Sequence, residues 1–271
     1  MQIAPPRHVL ATFGVAGSAP VALQGGEGTS WRAGDLVLKP ADRSDEELAW
    51  QASIYPQIVG DGFRLAMPRR GRDGSVCVDG WCATDFVSGA YEPGRWPEII
   101  SLGTRFHRAL LGIPKPGFLD QRSRPWAIAD RVAWGEISFT EFPDVRHLPL
   151  LAASIRPVAA PDQLIHGDLC GNVLFDDDLP PAIIDFSPYW RPASYASAMV
   201  IADALLWEGA GEQLLDDVNH VDDLGQYLLR AIIFRLVSEW ILSRDKPRRT
   251  AAHHAPWRRV IDLARGLAAN S

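Results

Sequence analysis

The chain has 271 residues, 33 acidic against 27 basic side chains, a formal net charge of -6 and three cysteines. A chain of this length buries roughly three quarters of its unfolded surface as one large domain or two lobes, so it needs no covalent staples. Cys77, Cys82 and Cys170 are odd in number and lack C-x-x-C spacing, which argues against a disulfide framework and a thiolate zinc site and favours a reducing, cytoplasmic setting.

No segment approaches the roughly 20 apolar residues of a membrane span, so a soluble chain without membrane association is expected. Only Lys39, Lys115 and Lys246 are lysines, against 24 arginines, so chemistry that needs an ammonium has three candidates. The first third reads as a small curled sheet. VALQGG, TSWRAG and DLVLK are short β-prone pieces punctuated by Gly25, Gly26, Gly28 and the Gly34-Asp35 turn. SDEELAWQASIYPQI then changes to helical spacing, with Ser44 as N-cap, Glu47 at the third position of a capping box, and Pro56 shortening the helix. Strand signals return in FRLAMP, SVCVD and GWCATDFV, with Gly71, Asp73 and Gly74 as a hairpin turn between the first two. Ser88-Gly89 follows the last of these strands and is the expected hinge.

Beyond it the spacing is mainly helical, in WPEIISLGTRFHRALLGI, around AIADRVAW and in LPLLAASIRPV. LIHGDLCGNVLFDDDLPPAIIDF reads as a polar loop followed by a β-hairpin. YASAMVIADALLWEGA, GQYLLRAIIFRLVSEWIL and PWRRVIDLARGLA complete a helical core. The expected architecture is an α+β fold of two lobes: a small antiparallel-sheet lobe over 1–87, a hinge over 88–90, and a larger helical lobe over 91–271.

The densest polar signal is His166-Gly167-Asp168-Leu169-Cys170-Gly171-Asn172, followed by Asp185 in Ile183-Ile184-Asp185-Phe186. Magnesium takes carboxylate, amide and phosphate oxygens, so Asn172 and Asp185 suit a metal-triphosphate while Asp168 suits an acceptor hydroxyl. For HGD alone, an Asx-rich turn with His166 packed beneath it is the plain structural alternative. Phosphates also need a cation. Lys39 ends the strand LVLK after the glycine-rich segment, the order expected if backbone amides cover phosphates and a strand ammonium reaches them. Glu46 and Glu47 could orient it; Glu47 is favoured, with its capping-box role as the equal alternative.

HGDLCGN, then IIDF, with Lys39 upstream, resembles the aminoglycoside phosphotransferase and choline kinase-like family within the protein-kinase-like fold, over most of the chain. DFSPYWRPASYASAMVIADALLW and PGFLDQRSRPWAIADRVAWGE are similar to a compact actinobacterial group of such proteins. The resemblance implies an enzyme that passes the terminal phosphate of ATP, or GTP, to a hydroxyl or amine of a small molecule. It implies Asp168 as catalytic aspartate, Asn172 and Asp185 as magnesium ligands, His166 as the brace of the loop, and Lys39 as the phosphate-contacting lysine. Ser88 would lie in an adenine-facing hinge. Two departures stand out: Asp168 and Asn172 are one residue closer than is common in the family, and Glu47 follows Lys39 unusually soon. A nucleotide-binding regulatory or scaffold protein without useful transfer is the alternative.

For the acceptor, Trp190, Arg191, Tyr195, Asp203, Trp207 and Glu208 form a mixed aromatic and charged set that could take a cationic molecule, while Asp203 could equally brace the catalytic loop and Arg191 could favour an anionic acceptor. Nucleic-acid binding is disfavoured by the acidic balance and the scattered basic patches at 68–70 and 246–249. His253-His254 reads as surface.

Overall fold

A computed structural model describes residues 3–23, 28–60, 62–218, 221–244 and 255–269. In chain order its first elements are α1 (Arg7–Thr12), β1 (Val21–Ala22), β2 (Trp31–Ala33), β3 (Leu36–Pro40), α2 (Asp45–Ile54), β4 (Arg64–Leu65), β5 (Pro68–Arg69) and β6 (Trp81–Asp85). Then come α3 (Trp96–Ala109), α4 (Phe118–Gln121), α5 (Pro125–Ala133), α6 (Leu148–Ala152), β7 (Gln163–His166), β8 (Val173–Leu174) and β9 (Ala182–Ile183). The chain closes with β10 (Pro188–Arg191), α7 (Ala193–Trp207), α8 (Gln213–Asp217), α9 (Leu224–Leu242) and α10 (Ala255–Ala269). These elements form two compact units, Met1–Tyr91 with Gly171–Asp185, and Glu92–Cys170 with Phe186–Ser271.

The first unit holds an antiparallel five-stranded sheet in the order β1-β2-β3-β6-β5. Strand periodicity turns Leu36 and Leu38 into a buried cluster with Val9, Leu10 and Phe13 of the α1 segment, Ala33, Trp81 and Ala83, and leaves Val37 and Lys39 on the opposite face. Ser44 caps α2 as its position predicts, accepting from the Glu47 amide at 3.2 Å, and Pro56 follows in a 3-10 turn where α2 stops. The FRLAMPR segment serves two sheets: β4 pairs parallel to β9, whereas β5 pairs antiparallel to β6. SVCVD, expected as a strand, contributes only the bridge Val78–Trp81, because Asp79 and Gly80 take positive φ of 49° and 76° and turn the chain straight into β6.

The β8–β9 hairpin belongs to this first unit and is tied to residues 88–90. Ala90 and Phe175 exchange two backbone hydrogen bonds of 2.8 Å. Gly89 has φ of 121°, and a Cβ there would lie 2.6 Å from the Phe175 carbonyl, so both conformation and close approach call for glycine. Arg64 donates to the Ser88 carbonyl at 2.9 Å and to the Pro180 carbonyl at 2.6 Å, which joins the same two segments from the side.

In the second unit α9 packs against α5, α7 and α10. Every residue of α7 from Tyr195 to Leu206 is buried, as expected of a helix that is apolar on all sides. The pair β7–β10 runs antiparallel, with His166 opposite Pro188. The sequence reading passes over α1, α4, α8 and β10: the three helices have six residues or fewer, too few for a helical period to show. Gly225 of α9 faces the backbone of Ala268 and Leu267 in α10, with a Cβ position 2.7 Å from the Ala268 Cα. Neither backbone can yield without moving a helix. We expect Gly225→Ala to destabilise the protein by about 1–3 kcal/mol, read as a lower midpoint in denaturant; an unchanged midpoint would refute this packing.

Candidate active site

In the first unit a cationic pair converges on Asp185. The strand alternation of β3 carries Lys39 away from the α1 core, and its Nζ lies 2.6 Å from Asp185 Oδ1. Arg43, in the turn before α2, donates from Nη2 to the same oxygen at 2.7 Å. Glu47, whose backbone amide is held by the Ser44 cap, places its buried carboxylate 3.4 Å from Arg43 Nε. Glu47, expected to orient Lys39, is paired with Arg43, an arginine that sequence reasoning missed, while Lys39 reaches Asp185. The signal for Arg43 was local: it stands four residues before Glu47.

Asp185 itself has φ of 48°, rare for a residue with a side chain and found where surrounding structure over-determines the backbone. Burial pushes its carboxyl upward, but Arg43 and Lys39 outweigh that and hold it well below the usual carboxylate range. Asn172 is placed two residues ahead of β8's end, and its carbonyl accepts from the Ile184 amide at 3.0 Å, so the hairpin that carries Asp185 also carries Asn172. Gly28 lies just before β2; Gly25 and Gly26 lie outside the described residues, as do Lys246 and His253-His254.

Because the folded-state value of Asp185 lies below the ordinary 3.8, the unfolded chain takes up its proton first. The stability contributed by this pairing is present above that value and is lost as the pH falls through the folded one. With Asp185 38% exposed the contribution is screened to about 1 kcal/mol or less. The melting temperature of Asp185→Asn should thus trail the native protein by a few degrees at pH 7, roughly 2–4 °C per kcal/mol, with the gap closing towards pH 3. A gap that widens on acidification would reverse the assignment.

In the second unit two histidines build the loop after β7. The His166 amide donates to His107 Nε2 at 3.1 Å, and the Asp168 amide donates to His166 Nδ1 at 3.1 Å. Both accepting nitrogens are therefore unprotonated; burial, with His166 adding to it, lowers His107 to about 3. His166 is fully buried and edges against Phe106 and Phe186. Gly167 is required by close approach, since a Cβ would lie 2.5 Å from the ring of Tyr189. Asp168 is left 43% exposed, and its Oδ1 accepts from Arg235 Nη2 at 2.8 Å. Arg235 is held in turn by Asp203, through Nε at 2.8 Å and through Nη2. Burial pushes Asp203 up to about 6 against the pull of Arg235. Arg235 is the second residue that sequence reasoning missed, although an arginine within AIIFRLV on an apolar helix announces a buried carboxylate partner.

Of the expected acceptor residues, Asp203 reaches Asp168 only through Arg235, while Glu208 accepts from the Trp96 indole and Trp207 is half-exposed above the Arg235 guanidinium. Arg191 is turned elsewhere, into a pairing with Asp130 at 2.6 Å and Glu136 at 2.7 Å. Tyr195 is buried against Trp134. Among the described residues no group of three His, Cys, Asp or Glu side chains is gathered as a metal cage, and the three cysteines are not in disulfides. A hard cation held by one carboxylate, one amide oxygen and phosphates needs no such cage, and ionised Asp185 with Asn172 supplies that donor set. No helix among the described residues is long and apolar enough to cross a membrane.

Comparison with solved structures gives the same fold at low identity. A choline/ethanolamine kinase family protein from Mesorhizobium loti aligns with TM-score 0.58 and 16% identity over 96% of this chain and 92% of that one. A thermostable mutant of aminoglycoside phosphotransferase APH(4)-Ia aligns with TM-score 0.57 and 14% identity over 93% of each chain. Spectinomycin phosphotransferase APH(9)-Ia, solved with ADP and spectinomycin, aligns with TM-score 0.52 and 15% identity over 92% of each. The fold is accordingly the two-lobed α+β, protein-kinase-like one, with a small antiparallel sheet in one lobe and a larger helical lobe. No curated protein sequence matches the chain. The phosphotransferase enzyme family profile matches residues 23–189, which include Lys39, Asp168, Asn172 and Asp185, so the chain belongs to the phosphotransferase enzyme family.

Proposed function

We propose that this protein transfers the γ-phosphate of ATP, or of GTP, to a hydroxyl or amine of a small molecule. The observation that carries the reading is the meeting of Lys39, Arg43 and Asp185, residues up to 146 positions apart, at hydrogen-bond distance. A phosphate-facing cation and a permanently ionised carboxylate are the two groups that a metal-triphosphate requires from the protein. Asp185 and Asn172 would hold Mg²⁺, which neutralises phosphate charge when bound. Lys39 and Arg43 offer the phosphates the same two cations that otherwise compensate Asp185. Glu47 keeps Arg43 in place from its capped position. Residues 1–87, with Ser88 in an adenine-facing hinge over 88–90, form the nucleotide lobe of this reading; 91–271 carry the catalytic loop and the acceptor contacts.

Asp168 is assigned to the acceptor. Its exposed carboxylate would orient the attacking group and receive its proton late in transfer, with no covalent enzyme intermediate. His166 supports this through the Asp168 amide rather than by exchanging protons itself, since its Nδ1 is already committed. Asp168, Glu208 and Trp207 favour an acceptor with cationic character. The likeness of two stretches to an actinobacterial group is part of the same reading. A second reading, nucleotide binding without transfer, is favoured by one observation, the short Asp168–Asn172 spacing. The two are separated by a screen of hydroxyl- and amine-bearing small molecules with Mg-ATP and Mg-GTP, read by the mass of phosphorylated product. Product from the native protein supports transfer; nucleotide binding in a titration with no product across the screen supports the second reading.

A further inference from the structure

We propose that Arg235 is a positioning residue for Asp168, and that Asp203, by gripping the same guanidinium, locks it in place. The proposal rests on the assignment of Asp168 to the acceptor. The loop His166–Asn172 contains no lysine or arginine, so the countercharge of Asp168 comes from α9, 67 positions away. Arg235 is 11% exposed and fixed from three sides: Asp203 takes Nε and Nη2, and the rings of Phe234 and Trp207 lie 5.1 and 5.7 Å from the guanidinium carbon. A side chain held this way offers its remaining Nη2 proton in one direction, to Asp168 Oδ1. That fixes the carboxylate by one oxygen.

Asp203 meets the guanidinium through two hydrogen bonds of its own, so the guanidinium cannot turn away from Asp168 without breaking them. Removing Arg235 should cost turnover on the order of 10²-fold through misplacement. Asp203→Asn keeps an acceptor oxygen for the guanidinium, so it should leave Asp168 aimed and cost less turnover than Arg235→Gln.

The test follows Mg-ATP turnover to ADP with the hydroxyl- or amine-bearing acceptor returned by the screen, in the native protein and in Arg235→Gln, Arg235→Lys, Asp203→Asn, Asp168→Asn and the double variant Asp168→Asn/Arg235→Gln. The expected result is a drop on the order of 10²-fold for Arg235→Gln with KM for ATP within about twofold, and partial recovery in Arg235→Lys. Turnover that falls while KM for ATP holds, and that returns in part with lysine, is a split that a purely structural role would not produce. Arg235→Gln should add nothing in the Asp168→Asn background. A matching loss of ATP affinity in Arg235→Gln, or an equal further loss of turnover in that background, overturns the proposal while leaving the assignment of Asp168 intact. Full turnover by Asp168→Asn, or no product from the native protein across the acceptor screen, overturns the assignment beneath it. If Arg235→Gln does not fold, Arg235→Lys decides: turnover equal to that of the native protein overturns the proposal.

Discussion

Asp168→Asn is expected to lose phosphate transfer by about 10²- to 10⁴-fold, the range of a general base, while nucleotide affinity stays within about twofold. The substitution is nearly isosteric and keeps an oxygen that can accept from Arg235 at the position where Asp168 Oδ1 accepts at 2.8 Å. What it removes is the negative charge and the capacity to take a proton from the acceptor. The loop should survive, because it is held by the Asp168 amide on His166 and the His166 amide on His107, neither of which involves the carboxylate. Product formation with a verified acceptor, measured by mass beside a nucleotide titration, checks both halves. Native-like turnover would remove Asp168 from the mechanism; lost nucleotide binding would place it on the phosphate side instead.

Asp203→Ala should be the most damaging single change in the helical unit, at about 3 kcal/mol and a melting temperature lower by roughly 10 °C. Asp203 is 6% exposed on α7, and its two hydrogen bonds are what neutralise Arg235 among the apolar residues of α9. Truncation leaves the guanidinium with Asp168, which is 43% exposed and shares its charge with water. A buried cation without a buried partner costs more than the pair itself contributes. Asp203→Asn retains an acceptor for the guanidinium and should lose less than half as much. Calorimetry on the three proteins tests the ordering; equal stability of Asp203→Ala and the native protein would mean that water reaches Arg235.

Short-range signals specify their elements without a distant partner. The Ser44 cap, the strand LVLK, the hairpin around 173–183 and the helices α3, α7 and α9 each rest on residues within a turn or a strand of one another. SVCVD failed because alternating apolar character does not specify a partner: the tight Asp79-Gly80 turn leaves Val78 alone in contact with Trp81. FRLAMP was half right for a related reason. Its strand propensity is real, but two different sheets compete for it, and β4 took the hairpin as its neighbour.

At the candidate site the types of the key groups were legible and their pairings were not. The scarcity of lysine singled out Lys39, and the polar cluster from His166 to Asp185 singled out the loop, because ionisable groups in an apolar stretch must have partners. Which partners they take is a long-range property. Asp185 receives both Lys39 and Arg43, Glu47 serves Arg43, and Asp168 shares Arg235 with Asp203 over separations of 67 and 32 positions. Sequence by itself therefore determined the chemistry available, an α+β chain with an oxygen-rich loop and one well-placed ammonium. Only tertiary structure decided the ion pairing, since Coulomb attraction depends on distance in space and burial, neither of which a one-dimensional spacing records.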